Sequence, residues 1–539
     1  MRRLALFLCF LPAAALALVV LAECGVRALY AYAMRRTERF PLLYERVYWD
    51  VPPWVRYMSI LYADRDLGLW MRPNTTRTYI NLFGPIGDLR DVEHLFTALF
   101  PAVPAWTESR GVWHLATNSL GIRNDEVSAE KSPSTFRVAV LGDSWTVGIN
   151  VEREETYPAE LRRLLEHEFP GRRFEVINFG MIGATSGTGK RLLPRVLGLR
   201  PDAVVLAYAQ NDEAHVRQET VRWEPFRPAP PTRWARLTGR LEVYKLLAYW
   251  RAHRPGAIAA TVRRSVMSAG GGASNDPPAG CPNPRVATTR YRETIDALVG
   301  AFLGRRIDVV LLYNNVPEFT SHCTLRALAD VAAARRVPLV DASALLADEA
   351  RAVEGARERS LGLTPPAPSG DERPDAVTVV FRVDMSAVGK GRKPYVMGNR
   401  PGLAAFTPNL IDLFDDGTHG DQVANDGVWS RAFRFDRLGN VVYLYTDGDR
   451  ADEWTGLESY RPRVFAVHPA DVGKRVYLPV AEFGRHDLRS DGSHPDARGY
   501  ASIGRAVFEA LKDRPALRAY LGGRREGAVN VPATTPPGT

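Results

Sequence analysis

Clusters of positive charge and cysteines are both scarce in this chain. Its 70 lysines and arginines are dispersed among 61 aspartates and glutamates, so the net charge of +9 forms no basic patch interleaved with aromatic residues. A nucleic-acid site needs such a patch, and we therefore expect no nucleic-acid partner. Of the four cysteines, Cys281 and Cys323 alone follow residue 36, which leaves either one disulfide between them or two free thiols.

A motif for a nucleotide cofactor is also missing. The run from Gly187 to Lys190 looks like the end of a phosphate-binding loop. However, the first glycine of that motif would fall on Ala184, and its final serine or threonine on Arg191. We therefore expect no cofactor.

The N-terminus indicates where the protein works. Arg2 and Arg3 precede an apolar run from Leu4 to Ala22, which is just long enough to cross a hydrocarbon core of about 30 Å. The run fits either a secretory signal or an uncleaved anchor, and we favour the anchor with the two arginines on the cytoplasmic side. The rest of the chain would then face the periplasm or the outside of the cell.

Four short blocks, far apart but in a fixed order, carry the groups of a serine hydrolase. The strand predicted from Arg137 to Leu141 ends just before Ser144, and α/β folds place their chemistry at such strand ends. Each block alone also fits an ordinary turn or a helix cap, whereas their conjunction favours a catalytic site. The blocks are Gly142-Asp143-Ser144, Asn178 to Gly183, Asn211-Asp212 and Asp491 to His494.

These blocks resemble those of the SGNH, or GDSL-type, hydrolases. The resemblance implies that Ser144 attacks an ester carbonyl, that His494 takes its proton, and that Asp491 orients the imidazole. It also implies an oxyanion hole made of the backbone N–H groups of Ser144 and Gly183 and the side-chain amide of Asn211.

One position departs from the family pattern. The family usually has glycine two residues before the asparagine of the third block, and this chain has Ala209 there. We expect its methyl group to narrow the oxyanion pocket without removing the donor, which is Asn211.

The resemblance implies a three-layer α/β/α fold around a parallel sheet, and the order of predicted elements agrees with it. The predicted strands are Arg137–Leu141, Phe174–Asn178, Ala203–Ala209, Ile307–Tyr313 and Pro338–Asp341. The predicted helices are Tyr157–Glu168, Lys190–Leu197, Tyr291–Leu303 and Thr324–Arg335.

We divide the chain into six parts. The hydrolase domain is split by an insert, so that Asp491 and His494 come after it. The parts are a signal anchor (1–35), an aromatic-rich lead-in (36–134), the first part of the hydrolase domain (135–370), an inserted β-sandwich (375–467), the second part of the hydrolase domain (468–522) and a disordered tail (523–539).

The insert is predicted as a small β-sandwich because Val377–Val383 and Val441–Tyr445 are rich in β-branched and aromatic residues. The segment from Tyr395 to Leu403 resembles the opening strand and loop of starch-binding-type carbohydrate modules, which implies a sugar-binding role. Phe406 stands near the place where such modules often have a tryptophan as the ligand platform. The alternative is a purely structural sandwich.

Acidic residues and glycines are concentrated within the insert. Asp415, Asp421 and Asp426 are the candidate ligands of a calcium ion, which needs six or more oxygen ligands. Their spacing does not match an EF-hand, and such residues are also common in turns. We predict no resident metal and keep these three carboxylates as calcium candidates.

Together these features predict an exported, membrane-anchored serine esterase that cleaves O-acyl esters, O-acetyl above all, on a polysaccharide or glycan. One alternative is an O-acyltransferase that uses the same triad to pass the acyl group to a glycan hydroxyl. Another is a non-catalytic envelope protein that binds glycan or serves as a scaffold. The expected partners are an acylated glycan or small ester substrate and the membrane.

Overall fold

The structure of the protein is a computed structural model. It describes residues 14–28, 60–64, 66–80, 112–213, 241, 243, 287–315, 323–363, 375–388, 392–454, 456–458, 462–484, 488 and 494–522. Several expectations therefore lie outside the described residues: the start of the apolar N-terminal run, Cys281, Asp491 and the tail from 523.

The hydrolase domain is built on a five-stranded sheet in which every paired strand is parallel. Its strands are rich in β-branched and other apolar residues and are almost wholly buried, as expected when helices cover both faces. The order across the sheet is β6-β5-β7-β8-β9. The strands are β5 (Thr135–Gly142), β6 (Arg173–Gly180), β7 (Ala203–Ala207), β8 (Asp308–Tyr313) and β9 (Leu339–Asp341).

Helices cover both faces of this sheet. One core cluster joins Ala139 and Leu141 of β5 to the helices on one side, and a second joins Val138 and Val140 to those on the other. The alternation arises because successive side chains of a strand point to opposite faces. The predicted three-layer α/β/α arrangement with a parallel sheet is confirmed. The α-helices of the whole described chain, of which α1 lies outside these two core clusters, are α1 (14–28), α2 (Ser144–Val147), α3 (Tyr157–Glu168), α4 (Ser186–Gly198), α5 (Ala287–Leu303), α6 (Cys323–Arg335), α7 (Ala342–Ser360), α8 (Ala497–Leu511) and α9 (Pro515–Gly522).

The sheet order places one strand end at a crevice. Strand β5 lies between β6 and β7, so the chain winds outward from it in both directions. In open α/β sheets, ligands bind outside the carboxyl ends of the strands at such a switch point. Gly142, the last residue of β5, is paired with Gly180 on one side and Ala207 on the other.

The described parts of the lead-in pack directly onto the hydrolase domain. They contain two antiparallel hairpins, β1 (Leu61–Asp64) with β2 (Gly68–Met71) and β3 (Thr76–Ile80) with β4 (Val112–Ala116). Trp70 and Trp113 are each 2 % exposed and belong to the same core cluster as Leu141.

The insert contains two four-stranded sheets that share one core. The first sheet holds β10 (Val377–Asp384), β13 (Val428–Phe435), β16 (Arg475–Tyr477) and β17 (Ala481–Glu482). Because β16 and β17 pair with β10, this sheet extends past the predicted boundary at 467. The second sheet holds β11 (Tyr395–Gly398), β12 (Ile411–Asp412), β14 (Gly439–Thr446) and β15 (Arg463–Val467).

A buried ion pair fixes the insert to the hydrolase domain. Arg382 of β10 donates to Glu358 near the end of α7, and both side chains are nearly inaccessible to solvent. The neighbouring Arg357 donates to the carbonyl oxygen of Val480 at 2.9 Å. These contacts hold the end of the insert from which the chain runs on to His494.

Two features of the insert bear on its candidate ligands. Phe406 is 7 % exposed, so its ring does not form the open platform on which carbohydrate modules bind a sugar. The three calcium candidates form no recognisable metal site, since the described residues include no group of three or more His, Cys, Asp or Glu side chains placed to hold a metal. Instead, Asp415, Asp421 and Asp426 each accept backbone N–H groups of the surrounding turns.

The helix α1 carries exposed apolar side chains, among them Leu16, Leu18 and Leu21. Within the part of the chain that the structure describes, no helix is both long enough and apolar enough to span a membrane. Cys24 is free, and Cys323 is disulfide-bonded to a cysteine that lies outside the described residues. Pairing with Cys281 stays a prediction.

Candidate active site

Ser144 lies just beyond the carboxyl end of β5, where the sequence places it. It is the first residue of the four-residue helix α2, and the preceding Asp143 caps that helix by accepting the N–H of Trp145 at 3.0 Å. Gly148 ends the helix with φ at +80°, a left-handed conformation that favours glycine. This strand–turn–helix leaves Ser144 8 % exposed at the crevice.

His494 meets this serine across 350 positions of sequence. Its Nε2 atom lies 2.9 Å from the Ser144 Oγ atom, within hydrogen-bonding distance. Just beyond His494, Asp496 caps α8 by accepting the N–H of Gly499. That helix packs through Tyr500 and Ile503 into the core beneath the sheet, so its start is fixed relative to Ser144.

The groups expected to form the oxyanion hole lie at the same edge of the sheet. Gly183 follows β6 and Asn211 follows β7, the two strands that flank β5. The N–H of Met181 donates to the carbonyl oxygen of Gly142 at 3.0 Å, which ties the loop after β6 to the turn that carries Ser144. The Asn211 side-chain amide donates to the carbonyl oxygen of Ala184 at 2.9 Å.

The hydrogen-bonding state of these donors suits a developing negative charge. Gly183 has φ at +73°, and a side chain built there would meet no atom within 4 Å, so the glycine is required by its backbone conformation. Among the described residues, no hydrogen bond uses the backbone N–H of Ser144 or Gly183. Preorganised donors of this kind stabilise the oxygen of a tetrahedral intermediate.

Ala209 has no exposed surface and belongs to the core cluster on one face of the sheet, together with Met181 and Ala184. Its effect on the width of the oxyanion pocket stays a prediction. Asp491 lies outside the described residues, and its role in orienting His494 stays a prediction.

Asp143 and Asn314 are buried polar residues at this edge whose partnership the sequence does not reveal. Asp143 accepts the side-chain N–H of Asn314 at 2.7 Å, and Asn314 follows directly after β8. Burial raises the pKa of Asp143 to about 7, although the hydrogen bonds from Trp145 and Asn314 and the attraction of His494 each lower it. The sequence did contain a signal for a functional role of Asn314, because the polar pair Asn314-Asn315 directly follows an apolar strand.

Asn178 in the second block has a bracing role. Its side chain donates to the carbonyl oxygen of Thr146 in α2 at 2.7 Å and accepts the N–H of Gly180 at 2.8 Å. Gly180 must be glycine because a Cβ there would lie 2.2 Å from the backbone nitrogen of Val147. The second block therefore holds the short helix α2 that begins at Ser144, and it also contains Gly183, the expected oxyanion donor.

Comparison with known proteins links this geometry to a family. Residues 140–365 match the model of the GDSL-like lipase/acylhydrolase family. The match includes Ser144, Gly183 and Asn211 and ends before the insert, so His494 lies outside it. The SGNH-like hydrolase fold and an ester-bond chemistry for this GDSL-like domain are thereby supported. No curated protein matches the chain.

Several solved structures share a distant likeness with the GDSL-like domain. AlinE4, an SGNH-hydrolase family esterase, is 14 % identical, with 39 % of this chain and 77 % of that chain covered and a TM-score of 0.23. The lipase/acylhydrolase from Enterococcus faecalis is 16 % identical, with coverage of 38 % and 75 % and a TM-score of 0.22. A two-domain esterase active on acetylated mannans, CEX, is 16 % identical, with coverage of 39 % and 38 % and a TM-score of 0.23.

Proposed function

We propose that this protein is a serine esterase that cleaves O-acyl esters, with an acylated glycan as its substrate. The observation that carries the proposal is the 2.9 Å contact between the Ser144 hydroxyl and His494 Nε2, beside an edge lined with unused N–H donors. The hydroxyl attacks the ester carbonyl while His494 takes its proton. The donors at Ser144, Gly183 and Asn211 stabilise the oxyanion, and water then releases the acyl group from Ser144.

The glycan and the location are further parts of the proposal. The glycan is suggested by the insert, in which the segment from Tyr395 to Leu403 resembles part of a starch-binding-type carbohydrate module. The buried pair Arg382–Glu358 holds this insert against the hydrolase domain. The apolar run from Leu4 to Ala22, with exposed apolar side chains on α1, supports attachment to a membrane and export of the rest of the chain. Protease should then digest the protein on intact spheroplasts, and full protection would contradict export.

The test of esterase activity uses the full chain purified in mild detergent. We expect it to hydrolyse a chromogenic acetyl ester, Ser144→Ala to lose that activity, and Ser132→Ala, an exposed serine, to retain it. Equal rates for wild type and Ser144→Ala would reject every catalytic interpretation and leave a non-catalytic glycan-binding protein. Acetate release from acetylated polysaccharide, compared with the deacetylated polymer, tests the substrate class.

Burial of the nucleophile favours a second candidate, an O-acyltransferase. Ser144 is 8 % exposed and His494 is 5 % exposed, so water has restricted access to an acyl group on the serine. Acyl-enzyme chemistry permits either water or a sugar hydroxyl as the acceptor. Adding an unacylated oligosaccharide to an acyl donor distinguishes the two, since a transferase yields acylated oligosaccharide and an esterase yields free acid.

A further inference from the structure

Arg123 is a buried arginine in the lead-in, outside the segment that matches the family model. Its side chain is 1 % exposed, and its guanidinium donates four hydrogen bonds, all to backbone carbonyl oxygens. One goes to His114 in β4 at 2.6 Å, and three go to the chain at and beyond the end of α2, at Val147 (3.1 Å), Gly148 (2.6 Å) and Val151 (2.8 Å).

Two of the carbonyl oxygens that Arg123 binds, those of Val147 and Gly148, belong to the short helix that begins at Ser144 and to its C-cap. The N–H of Gly148 donates to the carbonyl oxygen of Ser144 at 3.1 Å, and that of Ile149 donates to the same oxygen at 3.3 Å. A helix of four residues has almost no stability of its own. The direction of the Ser144 side chain therefore depends on the contacts that fix this turn, and Arg123 fixes it from the side of the lead-in.

The surroundings of Arg123 keep its guanidinium buried and charged. Burial lowers the pKa of its guanidinium to about 10, so the group stays charged at neutral pH. The Trp113 ring lies 5.3 Å from the guanidinium carbon, at a distance suited to a cation–π contact. A planar fork of donors can reach carbonyl oxygens on two separate segments at once, whereas a lysine ammonium presents a single point charge.

We propose that Arg123 is a positioning residue for the nucleophile turn, which makes the lead-in part of the catalytic unit. The inference rests on the proposed esterase function. It predicts that loss of the guanidinium fork lowers the rate of the chemical step in correctly folded molecules and leaves substrate binding nearly unchanged.

The test compares Arg123→Lys with wild type and with Arg162→Lys as the matched control. Arg162 lines the same cavity of about 290 Å³ as Arg123, but its side chain is half exposed and pairs only with acidic side chains. Each full-length protein is assayed at low temperature, where a destabilised variant still folds, with a chromogenic ester. The concentration of folded protein is measured by its cooperative unfolding signal, and the reactivity of Ser144 by its labelling rate with a fluorophosphonate.

We expect Arg123→Lys to lower kcat and the labelling rate by about tenfold or more per folded molecule, with KM within about twofold, because the lysine cannot bind both segments at once. A tenfold loss corresponds to about 1.4 kcal/mol of barrier. Arg162→Lys should match wild type. A purely structural role would reduce only the folded fraction, and normal kcat per folded Arg123→Lys molecule would overturn the inference. An inactive and unlabelled wild type would instead defeat the esterase proposal itself.

A chemical rescue covers the case in which lysine cannot be accommodated. In Arg123→Ala, a small guanidinium compound can enter from the cavity and replace the missing donors. Millimolar methylguanidinium should raise the kcat of Arg123→Ala several-fold and leave Arg162→Ala unchanged. Equal responses of the two variants would contradict a positional role for the guanidinium.

Discussion

Asp212 of the third block is hydrogen-bonded to the start of helix α4, which follows the second block. Because this carboxyl group is buried, we expect it to make the stability of the protein depend on pH. Its side chain is 1 % exposed and accepts the backbone N–H of Ser186 at 2.9 Å and the Ser186 hydroxyl at 2.7 Å. Burial raises the pKa of Asp212 to about 7, and the charge of Asp143 adds to the rise, against the hydrogen bonds from Ser186. We predict that Asp212→Asn weakens the pH dependence of stability.

The sign is set by proton binding in the two states. The unfolded chain binds this proton with the ordinary pKa of 3.8 and the folded protein with a pKa of about 7, so the folded state holds the proton more tightly. The resulting stabilisation is full below about pH 4 and is lost as the pH rises to about 7. The whole shift corresponds to about 4 kcal/mol, or about 1.4 kcal/mol per pH unit within that window.

Urea unfolding at several pH values between about 5 and 8 measures this slope. Between about pH 5 and 7, the free energy of unfolding should fall more for wild type than for Asp212→Asn, by up to about 3 kcal/mol. The control is Asp125→Asn, which changes an exposed carboxylate paired with Arg153. Parallel curves for wild type and Asp212→Asn would refute the reasoning, whatever the absolute stability of the variant.

Three other predictions concern the oxyanion donor, the insert and the disulfide. Asn211→Ala should lower kcat about 100-fold or more with KM little changed, and a loss under about fivefold would remove this amide from the oxyanion hole. A chelator should leave the thermal midpoint unchanged, because the three calcium candidates already accept backbone N–H groups; a drop of more than about 2 °C would indicate a bound ion. Non-reducing peptide mass mapping should find Cys323 linked to Cys281 and Cys24 free, whereas a bridge to another cysteine would contradict the pairing.

The parallel sheet was predictable because its strands are short apolar runs bounded by polar residues. The helix predicted over Tyr157–Glu168 has those bounds in the structure, and β5, β6 and β8 differ from prediction by one or two residues at their ends. The helix α7 was missed, since its sequence is rich in alanine and charged residues and carries a weak apolar periodicity. Its stability comes from tertiary contacts, among them the buried Glu358.

The candidate site was likewise predictable only in part. Ser144 and His494 were predictable because four blocks, each common alone, occur together in the order of one family, and the structure brings the two side chains together at 2.9 Å. The roles of Asn314 and Arg123 were out of reach, since each acts through contacts between segments that the sequence does not show to be adjacent.

The nucleophile turn is held by groups that arrive from different parts of the chain. Asn178 braces Thr146 from β6, Asn314 holds the Asp143 cap from beyond β8, and Arg123 holds the end of α2 from the lead-in. Because α2 is too short to be stable alone, the geometry of Ser144 is a property of all three contacts together. A fragment restricted to the matched residues 140–365 would keep Ser144 and lose both Arg123 and His494, the proposed general base. The proposed catalytic unit is therefore larger than the segment that matches the family model.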